Sequence, residues 1–241
     1  WNSYDIEDQF GMARAEYDIT SDWAVYGALG GQHAHELGDY SSPGLLNNSG
    51  RADIGRLKNN YYIDTFSGMG GIRGAFETGF VSHKVNIGYA AMTKRIKNAW
   101  AMTKKADRPQ MDFYNPQQIA PPTLNSFGGN SFSDPLTTAR SRTKSVLLSD
   151  TLGVLDDTLL FTLGARYQEV VARNYNVNTG IEKYEQSQNK SRWLPTYGVV
   201  YTPSEEASLY ANHTQALQPQ ASRITGGPKH DSRMNIAPPP P

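Results

Sequence analysis

From Phe161 to Tyr167 the side chains alternate strictly: Phe161, Leu163, Ala165 and Tyr167 on one side, Thr162, Gly164 and Arg166 on the other. The pattern returns from Trp193 to Thr202, where Trp193, Pro195, Tyr197, Val199 and Tyr201 oppose Thr196, Gly198, Val200 and Thr202. A period of two belongs to extended backbone, whose successive side chains point to opposite faces of a sheet. One face is therefore apolar and aromatic and the other small or polar. A soluble sandwich can share that division. Rings placed so regularly beside tight turns fit a barrel wall in lipid better, because amphipathic rings favour the two membrane interfaces.

Composition agrees with such a wall. Among 241 residues, 23 Lys and Arg balance 23 Asp and Glu, so no global basic field points to nucleic acid. The absence of Cys excludes disulfides and thiolate metal sites. No run approaches the about 18 apolar residues of a membrane-spanning helix, but a barrel strand crosses with about 9–11 alternating residues. The chain opens on Trp1-Asn2-Ser3-Tyr4 without a charged and apolar leader. An exported barrel protein read this way is expected to be a piece of a longer one.

Short turns punctuate the strands. Thr20-Ser21-Asp22 joins a strand carrying Arg14, Glu16 and Asp18 to one running from Trp23 to about His35. Further turns are predicted near Glu77–His83, at Asp156-Asp157-Thr158 and at Pro203–Glu206. Between these pairs lie long connections, at about 38–57, 103–138 and 174–190. Short turns alternating with long loops predict an antiparallel outer-membrane barrel with its loops outside. About eight strands are expected and no helix. The 22 residues from Gln220 to Pro241 lose the alternation and end in four prolines, so they are expected to form a disordered tail outside the natural reading frame.

Residues that could carry chemistry are few. His33 and His35 share a strand face, but no further metal ligands are identifiable, and a strand end entering a polar rim is the expectation; no metal site is predicted. There is no G-x-S-x-G elbow, no phosphate-binding loop and no H-E-x-x-H helix. The acidic pairs Asp156-Asp157 and Glu205-Glu206 sit in turns, with no pocket to make an acid–base pair. Arg14, Arg73 and Arg166 fall on polar strand faces and are expected to pair with carboxylates along a solvated lumen. In the longest loop, Phe113, Tyr114, Phe127 and Phe132 are the candidates to line an external ligand entrance, the alternative being packing of the loop on its neighbours.

The segments LGARYQ (163–168), LPTYGVVYTP (194–203) and SLYANHTQALQP (208–219), in that order, resemble the TonB-dependent siderophore receptors of the bacterial outer membrane. DFYNP (112–116) and LLSDTLGVLDDTL (147–159) carry the likeness back more diffusely, so that it covers residues 1–219 and stops at Gln220. The resemblance implies an all-β fold, part of a large antiparallel transmembrane barrel of the 22-strand type. It implies a receptor for ferric siderophores and not an enzyme, set in outer-membrane lipid, without a cofactor, its iron arriving inside the chelate. In this family, coupling to the TonB complex runs through an N-terminal plug, which has no counterpart in these residues. The segment alone is therefore not expected to transport. Two other classes stay open: another nutrient receptor or porin-like barrel, and a soluble all-β binding module.

Overall fold

The computed structural model describes residues 2–217. The expectation for 220–241 lies outside the described residues. Ten strands form one antiparallel sheet: β1 (Ser3–Asp18), β2 (Trp23–Leu45), β3 (Arg51–Thr78), β4 (Val81–Met102), β5 (Gln110–Asp112), β6 (Ser126–Gly128), β7 (Thr137–Val154), β8 (Leu159–Asn174), β9 (Gln188–Ser204) and β10 (Ala207–Thr214). The eight long strands follow chain order, β1-β2-β3-β4-β7-β8-β9-β10, while β5 adds to the tip of β3 and β6 to that of β4. The sheet is open, with β1 and β10 at its edges. The only helical turns among the described residues are Lys105–Asp107 and Tyr184–Gln186.

The register carries the alternation across the whole wall. Leu163 faces Tyr197 and Ala165 faces Pro195, while Thr162 faces Gly198 and Gly164 faces Thr196. Cross-strand partners share a face, so the two sets separate as their sequence predicts. The apolar row through Ala165 continues through Leu148, Ile87 and Ile72 to Val25. Large side chains on this face, among them Phe66, Leu148 and Leu163, are more than half exposed in the isolated chain. Exposed apolar surface on this scale needs a covering, and in a barrel wall lipid supplies it. On the opposite face Tyr26 donates a 2.9 Å hydrogen bond to Asn86, and Arg14 and Arg73 both reach Glu16.

Tight turns cluster at one end of the sheet. Gly79, at φ +65°, turns β3 into β4, and the turn from Leu155 to Thr158 holds Leu155, Asp156 and Asp157 at positive φ. Such angles are costly for residues with a side chain. The turn is anchored by Asp157, which accepts from the Ser82 hydroxyl and from Lys84 Nζ at 3.3 Å.

At the other end the structure corrects one expectation. Residues 38–57 are not a long loop: β2 and β3 stay paired from Trp23↔Gly74 to Leu45↔Ala52, and residues 46–50 alone turn the chain. Asn47 Oδ1 closes that turn by accepting from the backbone N–H groups of Ser49 and Arg51. With 28 residues, β3 is far longer than the about 10 that cross a bilayer, so the hairpin projects well beyond it. Beyond lipid neither face needs to be apolar, and sequence alternation fades although the ladder continues. The other two long connections, 103–136 and 175–187, begin and end close to where the sequence places them.

Candidate functional site

The loop end of the sheet is built around residues 103–136, which fold back over one face of the projecting strands. Thr103 donates its N–H to the Arg56 carbonyl at 2.9 Å and its hydroxyl to that of Thr123 at 3.0 Å. Asn60 Nδ2 donates to the Phe132 carbonyl at 2.5 Å, and Asn125 ties Lys104 N to Asp107. Beneath the loop, Asn60, Ala99 and Ala101 are buried. By register all three share a face with Tyr89 and Leu148 lower in the wall. The loop thus packs on the outward side of the strands, above the apolar band.

Arg56 links this loop to the β2–β3 hairpin. Its Nε and one terminal nitrogen grip Asp39 at 2.8 and 2.5 Å, and its other terminal nitrogen reaches the Pro122 carbonyl at 3.5 Å. The hydrogen bond from Arg56, reinforced by its charge, holds the Asp39 carboxyl below the usual carboxylate range despite partial burial.

Phe113 and Tyr114 meet edge to face, their centroids 6.0 Å apart, at the tip of the hairpin. Phe113 N–H donates to the Gly50 carbonyl at 2.7 Å, and the Tyr114 ring lies over Gly50, whose φ of +89° and lack of a Cβ permit the contact. Phe113 also borders an open hollow with Pro43, Ile54 and Met111. Phe127, in β6, pairs with Ala101 and is exposed. Phe132 lies over the wall with Lys58 Nζ 5.8 Å from its ring centroid. The structure brings Phe113 and Tyr114 together and leaves Phe127 and Phe132 apart from them.

The lumenal side of the same mouth carries a second set of aromatics, which sequence reasoning missed. Tyr4, Gly38, Asn59 and Trp100 form one cross-strand row, and Glu36, Tyr61 and Asn98 another. Both rows share a face with Tyr26 lower down. Tyr40 lies between them over Gly38, where a Cβ would meet its ring at 2.2 Å, and donates its hydroxyl to Glu36. Trp100 covers Gly128 in the same way. Burial, with the nearby Glu36 charge, pushes the Tyr61 phenol up from its ordinary value, which already leaves it protonated at neutral pH. The signal that could have found these residues is parity: counted upward from Tyr26 on β2, every second side chain faces the lumen. This wall offers flat rings, phenol donors and a carboxylate to a bulky polar solute, and no nucleophile–base pair.

His33 and His35 take other partners. His33 Nδ1 is 2.7 Å from Asp64, while His35 Nε2 is 2.7 Å from Asn60 and its ring stacks on Tyr62 at 4.2 Å. Among the described residues no three His, Cys, Asp or Glu converge as metal ligands.

The whole chain, residues 1–241, matches the family described as TonB dependent receptor-like, beta-barrel. The chain belongs to that family. It is 42% identical over 222 residues to the ferrichrome receptor FcuA of Yersinia enterocolitica, covering 92% of this chain and 28% of that protein. It is 22% identical over 239 residues to the probable TonB-dependent siderophore receptor PiuA of Acinetobacter baumannii, covering 91% of this chain and 32% of the relative. Among solved structures it resembles BauA, the ferric preacinetobactin receptor of Acinetobacter baumannii, with a TM-score of 0.71 at 24% identity over 88% of this chain and 30% of that one. This TonB-dependent receptor segment therefore spans less than a third of the length of these relatives. The family consists of outer-membrane transport receptors of Gram-negative bacteria, not enzymes.

With the tight turns on the periplasmic side, as in outer-membrane barrels, the 103–136 loop is expected outside the cell. An Asn125→Cys substitution in the full-length receptor should react with an impermeant maleimide on intact cells, since Asn125 is only half-buried. Labelling that appears only after the outer membrane is breached would reverse the orientation.

Proposed function

We propose that this segment forms part of the wall and external mouth of a receptor that takes up a ferric siderophore across the outer membrane, powered by the TonB complex. The observation that carries the reading is the lumen-facing aromatic wall of Tyr40, Tyr61 and Trp100 at the loop end of a TonB-dependent receptor barrel. Rings locked over glycines, those of Tyr40 and Trp100, present area at little entropic cost, and the Tyr61 phenol can donate to the oxygens of a chelate. Iron is cargo within the chelate, so the wall needs no metal ligands of its own. Coupling to TonB falls to a plug domain enclosed by the complete barrel. The relationship to FcuA makes ferrichrome the first ligand to test.

In the full-length receptor, Trp100→Ala should weaken ferrichrome binding at least tenfold, the equivalent of about 1.4 kcal/mol. Phe127→Ala, on the outward face, should change it less than about twofold, a few tenths of a kcal/mol. Equilibrium binding to purified receptor and growth on ferrichrome as sole iron source are the two readouts. Equal affinity for the Trp100→Ala and native receptors would take the site away from this wall. Unimpaired growth of a strain deleted for the receptor and lacking other ferrichrome systems would remove the function.

A further inference from the structure

Glu36 stands among aromatic rings at the lumenal mouth without a counter-ion. Its row runs Ile6–Glu36–Tyr61–Asn98, and the row above it runs Tyr4–Gly38–Asn59–Trp100. Its carboxylate accepts from the Tyr40 hydroxyl, and among the described residues no cation pairs with it. That bond pushes the Tyr40 phenol up, so the proton stays on the ring oxygen and the negative charge on the carboxylate. A carboxylate tied only to a neutral donor keeps its full charge. Glu36 is also half-buried, so water and salt screen it less than they would a fully exposed group.

The cations on the same face of β1 to β4 do not cancel that charge. Lys94 lies on β4 in the Gln32–Thr65 row, two side-chain steps below Glu36 and two strands across. Four residues along a strand and two strands across put its backbone about 16 Å away, roughly twice the screening length at physiological salt. Arg14, Arg73 and Lys84 begin four steps down and are tied to Glu16 and Asp157. Above Glu36, Arg108 is held by Asp53 at 3.5 Å and Arg51 by Gln110 at 2.7 Å. Asp8, diagonally below Glu36 on β1, adds to its sign, because its oxygens accept only from the neutral Gln32, at 3.0 and 2.9 Å. A solute entering from outside therefore meets negative charge among aromatic rings before it meets the lower cations of these strands.

We infer that Glu36 sets the charge selectivity of this mouth, favouring ferric chelates that carry a peripheral ammonium over neutral ones, and both over anionic ones. The inference rests on the reading of the wall as the chelate site. Carboxylate and rings act together, because an ammonium is drawn to the negative face of an aromatic ring as well as to the carboxylate. A neutral chelate takes the rings and the phenol donors without engaging the charge. A chelate with a peripheral carboxylate or phenolate meets like charge there and gives up water without gaining a cationic partner, so it is rejected.

The test uses purified full-length receptor and three ferrichrome analogues that bear an aminomethyl, a hydroxymethyl or a carboxymethyl group on the peptide ring. The readout is the ratio of amine to carboxylate affinity within each receptor, so a variant that weakens all three alike leaves it unmoved. Native receptor should favour the amine by about tenfold or more at low salt, and the preference should shrink as salt rises. Glu36→Gln keeps an acceptor for Tyr40 and removes the charge, so its ratio should fall to within about twofold of unity. Glu36→Asp should keep the native order. Tyr40→Phe removes the hydrogen bond and keeps the carboxylate, so its affinities should fall while the ratio stays. Equal ratios in the native and Glu36→Gln receptors would overturn the inference and leave the siderophore reading standing. A Tyr40→Phe ratio as low as that of Glu36→Gln would also overturn it, reducing Glu36 to an anchor for that ring. If native receptor binds neither ferrichrome nor any of the three, the siderophore reading falls and this inference with it.

Discussion

Lysine in place of Leu148 should destabilise the full-length barrel by about 2–4 kcal/mol, the cost of a cationic side chain on the lipid face near the bilayer midplane. Lysine at the adjacent Ser149 should cost far less, because Ser149 shares the other face with Gly164 and Thr162 and meets a solvated lumen. Leu148 is the sharper probe because its row, with Val25, Ile72, Ile87 and Ala165, is apolar from β2 to β8. Leu163 lies on the same face, but its register partner on β7 is Asp150, so a lysine there gains a counter-ion and the penalty should shrink. Reversible unfolding in detergent or lipid vesicles, followed by heat-modifiable migration, measures all three. Equal penalties at 148 and 149 would reverse the assignment of faces.

Arg56→Ala should loosen the 103–136 loop and raise its rate of proteolytic cleavage on intact cells by tenfold or more. The substitution removes both grips on Asp39 and the contact with the Pro122 carbonyl, and it leaves a mostly buried carboxylate without its main partner. Breaking a pair this well enclosed costs on the order of 1–3 kcal/mol in local stability, enough for that change when cleavage follows the open population. Acid should mimic it. Arg56 lowers the Asp39 pKa in the folded state, so the pair's stabilisation is fully present above the unfolded carboxylate value of about 3.9 and is lost as pH falls through the lower folded value. Loop protection in the native receptor should therefore be flat from neutrality to about pH 5 and fall only below about pH 4. Asp39→Asn should abolish that acid step. A loop equally resistant in the native and Arg56→Ala receptors would show that backbone bonds hold it alone, from Thr103 N–H to the Arg56 carbonyl and from Asn98 N–H to the Leu136 carbonyl at 3.1 Å.

Much of the wall was legible because its constraints are local. Leu163, Ala165 and Tyr167 alternate with Thr162, Gly164 and Arg166 because lipid and lumen act on successive residues, and a period of two needs no knowledge of the partner strand. The acidic turns at Asp156-Asp157 and Glu205-Glu206 are local for the same reason, as turn chemistry is set within about four residues. The family resemblance rests on the segments where these local constraints are strongest, near the membrane.

What the chain hid lies above the lipid or depends on register. The pairing of residues 38–45 with 52–59 continues in water, where no apolar face marks it, so Gly38, Ser41, Ser42 and Pro43 read as loop. The outward packing of the 103–136 loop, and hence the side on which Phe127 and Phe132 sit, depends on hydrogen bonds from Arg56 and Asn60, far away in sequence. Tyr40, Tyr61 and Trp100 became one lumenal wall only through cross-strand alignment. The sequence by itself determined the faces of each strand, because sterics and solvent act residue by residue. Only the tertiary structure decided which residues of different strands stand side by side, because register is shared between strands and written in neither alone.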